Sequence, residues 1–95
     1  MNINKHIYDS TDLSGTPGNA TINKPSGKVA FAIGASTVVV TNSTVTAASH
    51  VICTLQFVDA TLTQILTVVP GAGTFTITGN ATATAATKVA FLVVN

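Results

Sequence analysis

The chain has no arginine, no glutamate and no tryptophan, and among its 95 residues are four Lys, three Asp and a single Cys. Each absence removes a class of function. Nucleic-acid binders neutralise phosphates with clustered Lys and Arg and read bases largely through Arg, so four scattered Lys set that class aside. A basic amphipathic helix for a membrane surface is missing for the same reason. The carboxylates are Asp9, Asp12 and Asp59 alone, and only Asp59 lies outside the first 26 residues. A paired-carboxylate mechanism needs two groups held about 5–10 Å apart. His6 and His50 have neither HxH nor HxxxH spacing for a metal, no Ser stands in a G-x-S-x-G context, and Gly71-Ala-Gly73 is too short for a phosphate loop. The expectation is no enzyme, no metal and no cofactor.

Cys53 has no partner for an internal disulfide. Strand alternation puts it on one face with Val51, Leu55 and Phe57, where a free Cys is a small apolar residue, and no cation lies near it to make a reactive thiolate. Apolar residues reach 46%, yet no run of about 18 is free of Thr, Ser, Asn or Lys, so the runs are strand-length. Met1 to His6 lacks the apolar stretch of a secretory signal. The sequons at Asn19, Asn42 and Asn80 then read as turns.

Charge is unevenly placed. Between Lys28 and Lys88 the only formal charge is Asp59, whereas an ordinary soluble domain is about a quarter charged. Residues 1–26 hold four of the seven charges and two of the three Pro. Their apolar residues Ile3, Ile7, Tyr8, Leu13 and Ile22 follow no firm period, which reads as an extended N-terminal arm ordered only against something else. Residues 27–95 form the body.

The body reads as strands throughout. Lys28–Ile33, Thr37–Thr41, Ser49–Val58, Leu62–Val69, Thr74–Thr78 and Lys88–Val94 are β-branched runs separated by Gly, Pro and Asn turns. That pattern predicts an all-β fold, a small antiparallel β-sandwich or jelly-roll-like barrel. The alternating Thr74, Thr76 and Thr78 resemble the threonine arrays of ice-binding proteins but lack their solenoid repeat, and read as the solvent face of a strand. Thr37–Thr41 aligns with Thr74–Thr78 at an offset of 37, and Thr46–Val51 with Thr84–Val89 at an offset of 38. This suggests two strand–connection–strand units packed face to face.

Two strands are apolar on both faces. Ile52 and Val58 lie opposite Val51, Cys53, Leu55 and Phe57, and Leu92 and Val94 lie opposite Val89, Phe91 and Val93. Strands apolar on both sides are covered on both sides, and so small a body has too little chain to do this alone. The expected remedy is self-association, with Ile52, Val58, Leu92 and Val94 at the interface.

The run Ser36-Thr-Val-Val-Val-Thr-Asn-Ser43, then Val45-Thr-Ala-Ala-Ser49, Gly73-Thr-Phe-Thr-Ile-Thr78 and the closing Val89-Ala-Phe-Leu-Val-Val94 resemble a small β domain of tailed-bacteriophage structural proteins. Such domains occur in head decoration (cement) proteins and at the tips of tail fibres and spikes. With no segment long enough for a fibre shaft, the decoration proteins fit better. The resemblance implies a homotrimer on the capsid surface, made in the host cytoplasm, whose arm (Ile3, Ile7, Tyr8, Leu13, Ile22) grips the major capsid protein. The alternative it leaves is a tail component whose loop Gly79–Thr87 meets a host receptor.

Overall fold

The computed structural model describes residues 10–94. All regular structure there is β: β1 (Ser10–Asp12), β2 (Ala20–Thr21), β3 (Ser26–Phe31), β4 (Thr37–Thr41), β5 (His50–Leu55), β6 (Ile65–Pro70), β7 (Thr74–Gly79) and β8 (Thr87–Val94). They form two four-stranded sheets packed on each other, sheet A in the order β1-β3-β8-β5 and sheet B in the order β2-β4-β7-β6. Alternation in the sequence produces this directly. Along β7 and β8 every second side chain is buried, because successive residues point to opposite faces of a strand.

Among the described residues only β6 and β7 form a hairpin. Every other connection crosses between the sheets. Each such arch reverses the chain and changes its layer, so two in succession restore both direction and sheet. That is why β3 lies parallel beside β1, and β4 parallel beside β2. The sheets are therefore mixed, not wholly antiparallel as the sequence led us to expect.

The core lies between the layers: Val29 and Phe31 from β3, Val38 and Val40 from β4, Phe75 and Ile77 from β7, Val89, Phe91 and Val93 from β8. Each such side chain contributes roughly 1.5–3 kcal/mol on burial. Phe75 of sheet B meets Phe91 of sheet A edge to face, with centroids 4.9 Å apart, so an aromatic contact ties the two layers together.

The boundary expected between arm and body at residue 26 does not appear among the described residues. Residues 10–25 run along both sheets, and β3 itself starts at Ser26. Ile22 enters the core, 2% exposed, and Leu13 packs against it half-buried. Gly27 makes room: a Cβ there would sit 2.7 Å from the Thr11 carbonyl and 3.1 Å from Ile22 Cδ1. Although β2 is two residues long, side chains extend its pairing with β4. Asn19 Oδ1 accepts the Val39 N–H at 2.9 Å and Asn23 Oδ1 accepts the Ser43 N–H at 3.0 Å. The isolated apolar residues of this segment gave no strand period because it crosses the layers after two or three residues.

The internal repeat corresponds to two β-arches, β4–β5 and β7–β8, each running from sheet B to sheet A. They lie side by side, not face to face: β4 pairs with β7 and β5 with β8. At the centre of each pairing a residue faces its own counterpart, Val39 opposite Thr76 and Cys53 opposite Phe91. An approximate two-fold axis through both sheets relates the arches.

Candidate functional site

Asp59, the one charge in the neutral stretch, is a structural clamp. It sits in the β5–β6 connection, where Oδ2 accepts the N–H groups of Thr61 (3.1 Å), Leu62 (3.2 Å) and Thr84 (3.0 Å), and Oδ1 accepts the Thr84 hydroxyl at 2.8 Å. The Thr61 hydroxyl donates to Asp59 Oδ2 and also reaches the Thr82 carbonyl. Donors aimed at the charged form, the Thr84 N–H first among them, hold this carboxyl well below the usual aspartate range. The clamp fastens the 79–87 loop to the 59–62 turn, and beneath it Leu62 and Ala83 are buried. Gly79 admits Leu62, since a Cβ there would lie 2.9 Å from the leucine side chain.

The other candidate groups are equally occupied or dispersed. Asn42 is fully buried: its Nδ2 donates to the Lys24 carbonyl at 2.7 Å, while Oδ1 accepts from the Thr44 N–H and hydroxyl. Asn80 Oδ1 accepts the N–H groups of Thr63 and Gln64. Of the three sequon asparagines, only Asn42 closes a local turn; Asn19 bonds across to Val39 in β4 and Asn80 joins two loops. Cys53 points inward from β5, and burial pushes its thiol up to about 12. His50 is exposed on the opposite face of β5, and His6 lies outside the described residues. Among the described residues no pocket opens and no three His, Cys, Asp or Glu converge.

What remains is surface, and the two outer faces differ. On sheet B the register aligns Thr37 with Thr78 and Thr67, Val39 with Thr76 and Val69, and Thr41 with Thr74 and Thr21. Among the described residues no formal charge stands on this face. On sheet A, Asp12 lies directly beside Lys28. Its carboxyl is lowered first by the Ser14 hydroxyl and N–H, at 2.6 and 2.9 Å, and then by Lys28 and Lys88. The other half of sheet A mixes His50, Thr54 and Lys88 with apolar residues. Ile52 (56% exposed) faces half-buried Leu92 across the β5–β8 pair, and Val94 (42%) follows two residues on.

Of the expected interface residues, Ile52, Leu92 and Val94 thus share one face, while Val58 is exposed in the connection after β5. Phe57, expected to point inward with Cys53, is also exposed because the strand ends at Leu55, and its ring lies 5.6 Å below the Lys88 ammonium. For the expected capsid-binding arm the placement is a correction. Ile22 is buried in the protein's own core and Leu13 packs half-buried against it; Ile3, Ile7 and Tyr8 lie outside the described residues. Leu66 and Val69, both exposed on β6, were missed. Their signal was an irregular strand, since a shift in register between Ile65 and Thr67 breaks the alternation that would have put Leu66 inside.

No family model, curated protein or solved structure matches this chain.

Proposed function

We propose that this protein is a non-catalytic structural subunit of a phage virion, a decoration protein that coats the outside of the head and stabilises it. The observation that carries the reading is the distribution of surface chemistry. One whole face of the sandwich is uncharged and hydroxyl-rich, and its single nearby carboxylate is consumed by internal hydrogen bonds. Such a face suits flat packing on another protein without desolvating ions, which is the costly part of burying a polar surface. Affinity for the assembled, expanded shell alone stabilises it by linkage, and many copies multiply a modest contact energy.

The partner in this reading is the major capsid protein. The contact falls to the threonine face and not to Leu13 or Ile22. The resemblance implies three copies per cluster, whereas the uncharged, regular edge strand β5 favours pairs. The test is cosedimentation of the purified protein with expanded, undecorated phage heads. Saturable binding that raises the melting temperature of the heads is expected. Absence of binding overturns the reading. Binding to host cells instead supports the tail-component alternative, with the clamped 79–87 loop as its contact.

A further inference from the structure

Four strands stand at sheet edges: β1 and β5 in sheet A, β2 and β6 in sheet B. An edge presents unpaired N–H and C=O groups to any other strand, and proteins protect edges by shortness, charge, Pro or bulges. Three of these are protected. β1 has three residues and carries Asp12, β2 has two, and β6 has a register shift after Ile65 and ends on Pro70. The fourth, β5, has six residues without Pro, bulge or formal charge.

The hydrogen-bond alternation identifies which groups are open. The Gln56 N–H donates to the Lys88 carbonyl at 2.8 Å just past the strand. In an antiparallel pair every second residue exchanges bonds with its partner, so His50, Ile52 and Thr54 bond to β8. The N–H and C=O groups of Val51, Cys53 and Leu55 point away from β8, along the sheet, to an edge that no other strand of the described residues pairs with. The side chains of these three residues belong to the core line but are only half-buried, because the sandwich stops there. Ile52 stands exposed on the outer face beside them.

We propose that this edge pairs with the β5 strand of a second copy, antiparallel about a two-fold axis, joining two A sheets into one continuous eight-stranded sheet. The occupant must be an extended strand with no charge and with apolar residues on both faces. Among the strands of this chain β5 itself fits that description best. The shorter β1 carries a charge, β2 is too short to span the edge, and β6 is irregular. Antiparallel self-pairing is isologous, so every group offered by one copy meets its complement in the other. About four to six inter-chain N–H···O bonds would form, Val51, Cys53 and Leu55 would close the core, and the two Ile52 side chains would come within cross-strand reach. The pairing goes beyond the capsid reading and stands on the edge geometry alone. A protein that dimerises but ignores phage heads overturns that reading and leaves this inference intact.

The experiment is sedimentation equilibrium of the full chain at ~50 μM, with amide exchange on the same sample. A species of twice the 9.6 kDa chain mass is expected, with the amides of Val51, Cys53 and Leu55 protected and their protection lost on dilution. Ile52→Lys places like charges within about 8 Å across the new pair and is expected to abolish the dimer while the far-UV circular dichroism stays unchanged. Val69→Lys, on the outer face of β6, serves as the control and should leave the dimer intact. A monomer or a trimer for the wild type overturns the proposal. So does an Ile52→Lys protein that still pairs, or fast exchange at the three amides in the dimer.

Discussion

Truncating Ile22 decides whether residues 10–25 are part of the folding unit. The side chain is 2% exposed and packs into the core beside Gly27 of β3, although the strand it follows, β2, has only two residues. Ile22→Ala removes three buried carbons and leaves a cavity, a change that costs about 2–5 kcal/mol where the surroundings cannot collapse. Collapse is hindered here because Gly27 has no side chain to move into the space. A domain of this size has ~5–14 kcal/mol in total, so the loss is a large fraction. With a urea m-value of about 1–3 kcal/mol/M, the midpoint should fall by roughly 0.7–5 M, and Ile22→Val by about a third as much. With no Trp in the chain, far-UV circular dichroism is the suitable probe. Deleting residues 1–24 is the stronger perturbation. It removes both parallel edge strands and the backbone bonds Leu13 N–H to Lys28 O, Gly18 N–H to Ala30 O and Ile22 N–H to Thr41 O. The truncated chain should show no cooperative transition. A midpoint unchanged within about 0.3 M for Ile22→Ala, together with a folded truncation, would refute the reasoning and restore a detachable arm.

Three further outcomes follow from named contacts. Asp59→Asn keeps one acceptor but loses the charge to which its donors are directed, so it should lower the melting temperature at neutral pH. Because the folded carboxyl is held below its ordinary 3.8, the wild type keeps this contribution above that value and loses it as pH falls below, whereas the Asn variant should show a flatter acid profile; parallel profiles would remove Asp59 from the account. Gly79→Ala should destabilise by about 1–3 kcal/mol through overpacking against Leu62, and Gly79→Ala combined with Leu62→Ala should cost less than the two changes summed, as a double-mutant cycle in urea would measure. With its thiol pushed up to about 12, Cys53 should react slowly with a thiol reagent at neutral pH and rapidly in denaturing urea; equal rates would mean that it is not held inside.

The strands of the body were legible because alternation is a local signal. Thr37–Thr41 matches β4 residue for residue, and Phe75 and Ile77 face inward as read. Two kinds of feature were not legible. Sheet membership was one, since the repeat of Thr37–Thr41 in Thr74–Thr78 reveals two similar units without saying that they hydrogen-bond to each other. The N-terminal segment was the other. A strand of two residues has no period to detect, and Ile22 gains its burial in a core cluster of residues from β3, β4, β7 and β8, whose convergence no local pattern encodes. The interface residues were half legible. Apolar character on both faces of β5 and β8 was visible, but the reason Ile52 stays uncovered is the position of β5 at an edge, a property of topology.

The neutral stretch acquires a different meaning once Asp59 is placed. Its charge is directed into two loops, so the stretch contributes less to the surface field than its formal count suggests, while Asp12, Lys28 and Lys88 gather on sheet A. A surface this poor in charge keeps copies apart only weakly. The fold compensates locally, with hydroxyls over sheet B and short or irregular strands at three edges. Protection of that kind acts edge by edge, and β5 lacks it. Protection against random association would call for a charge, a bulge or a shorter strand there, as at the other edges; a regular six-residue strand without formal charge is instead what a specific two-fold contact requires, because a charge at its centre would meet its own copy across the axis. The same neutrality that makes the protein prone to association therefore allows one edge to associate in a single geometry.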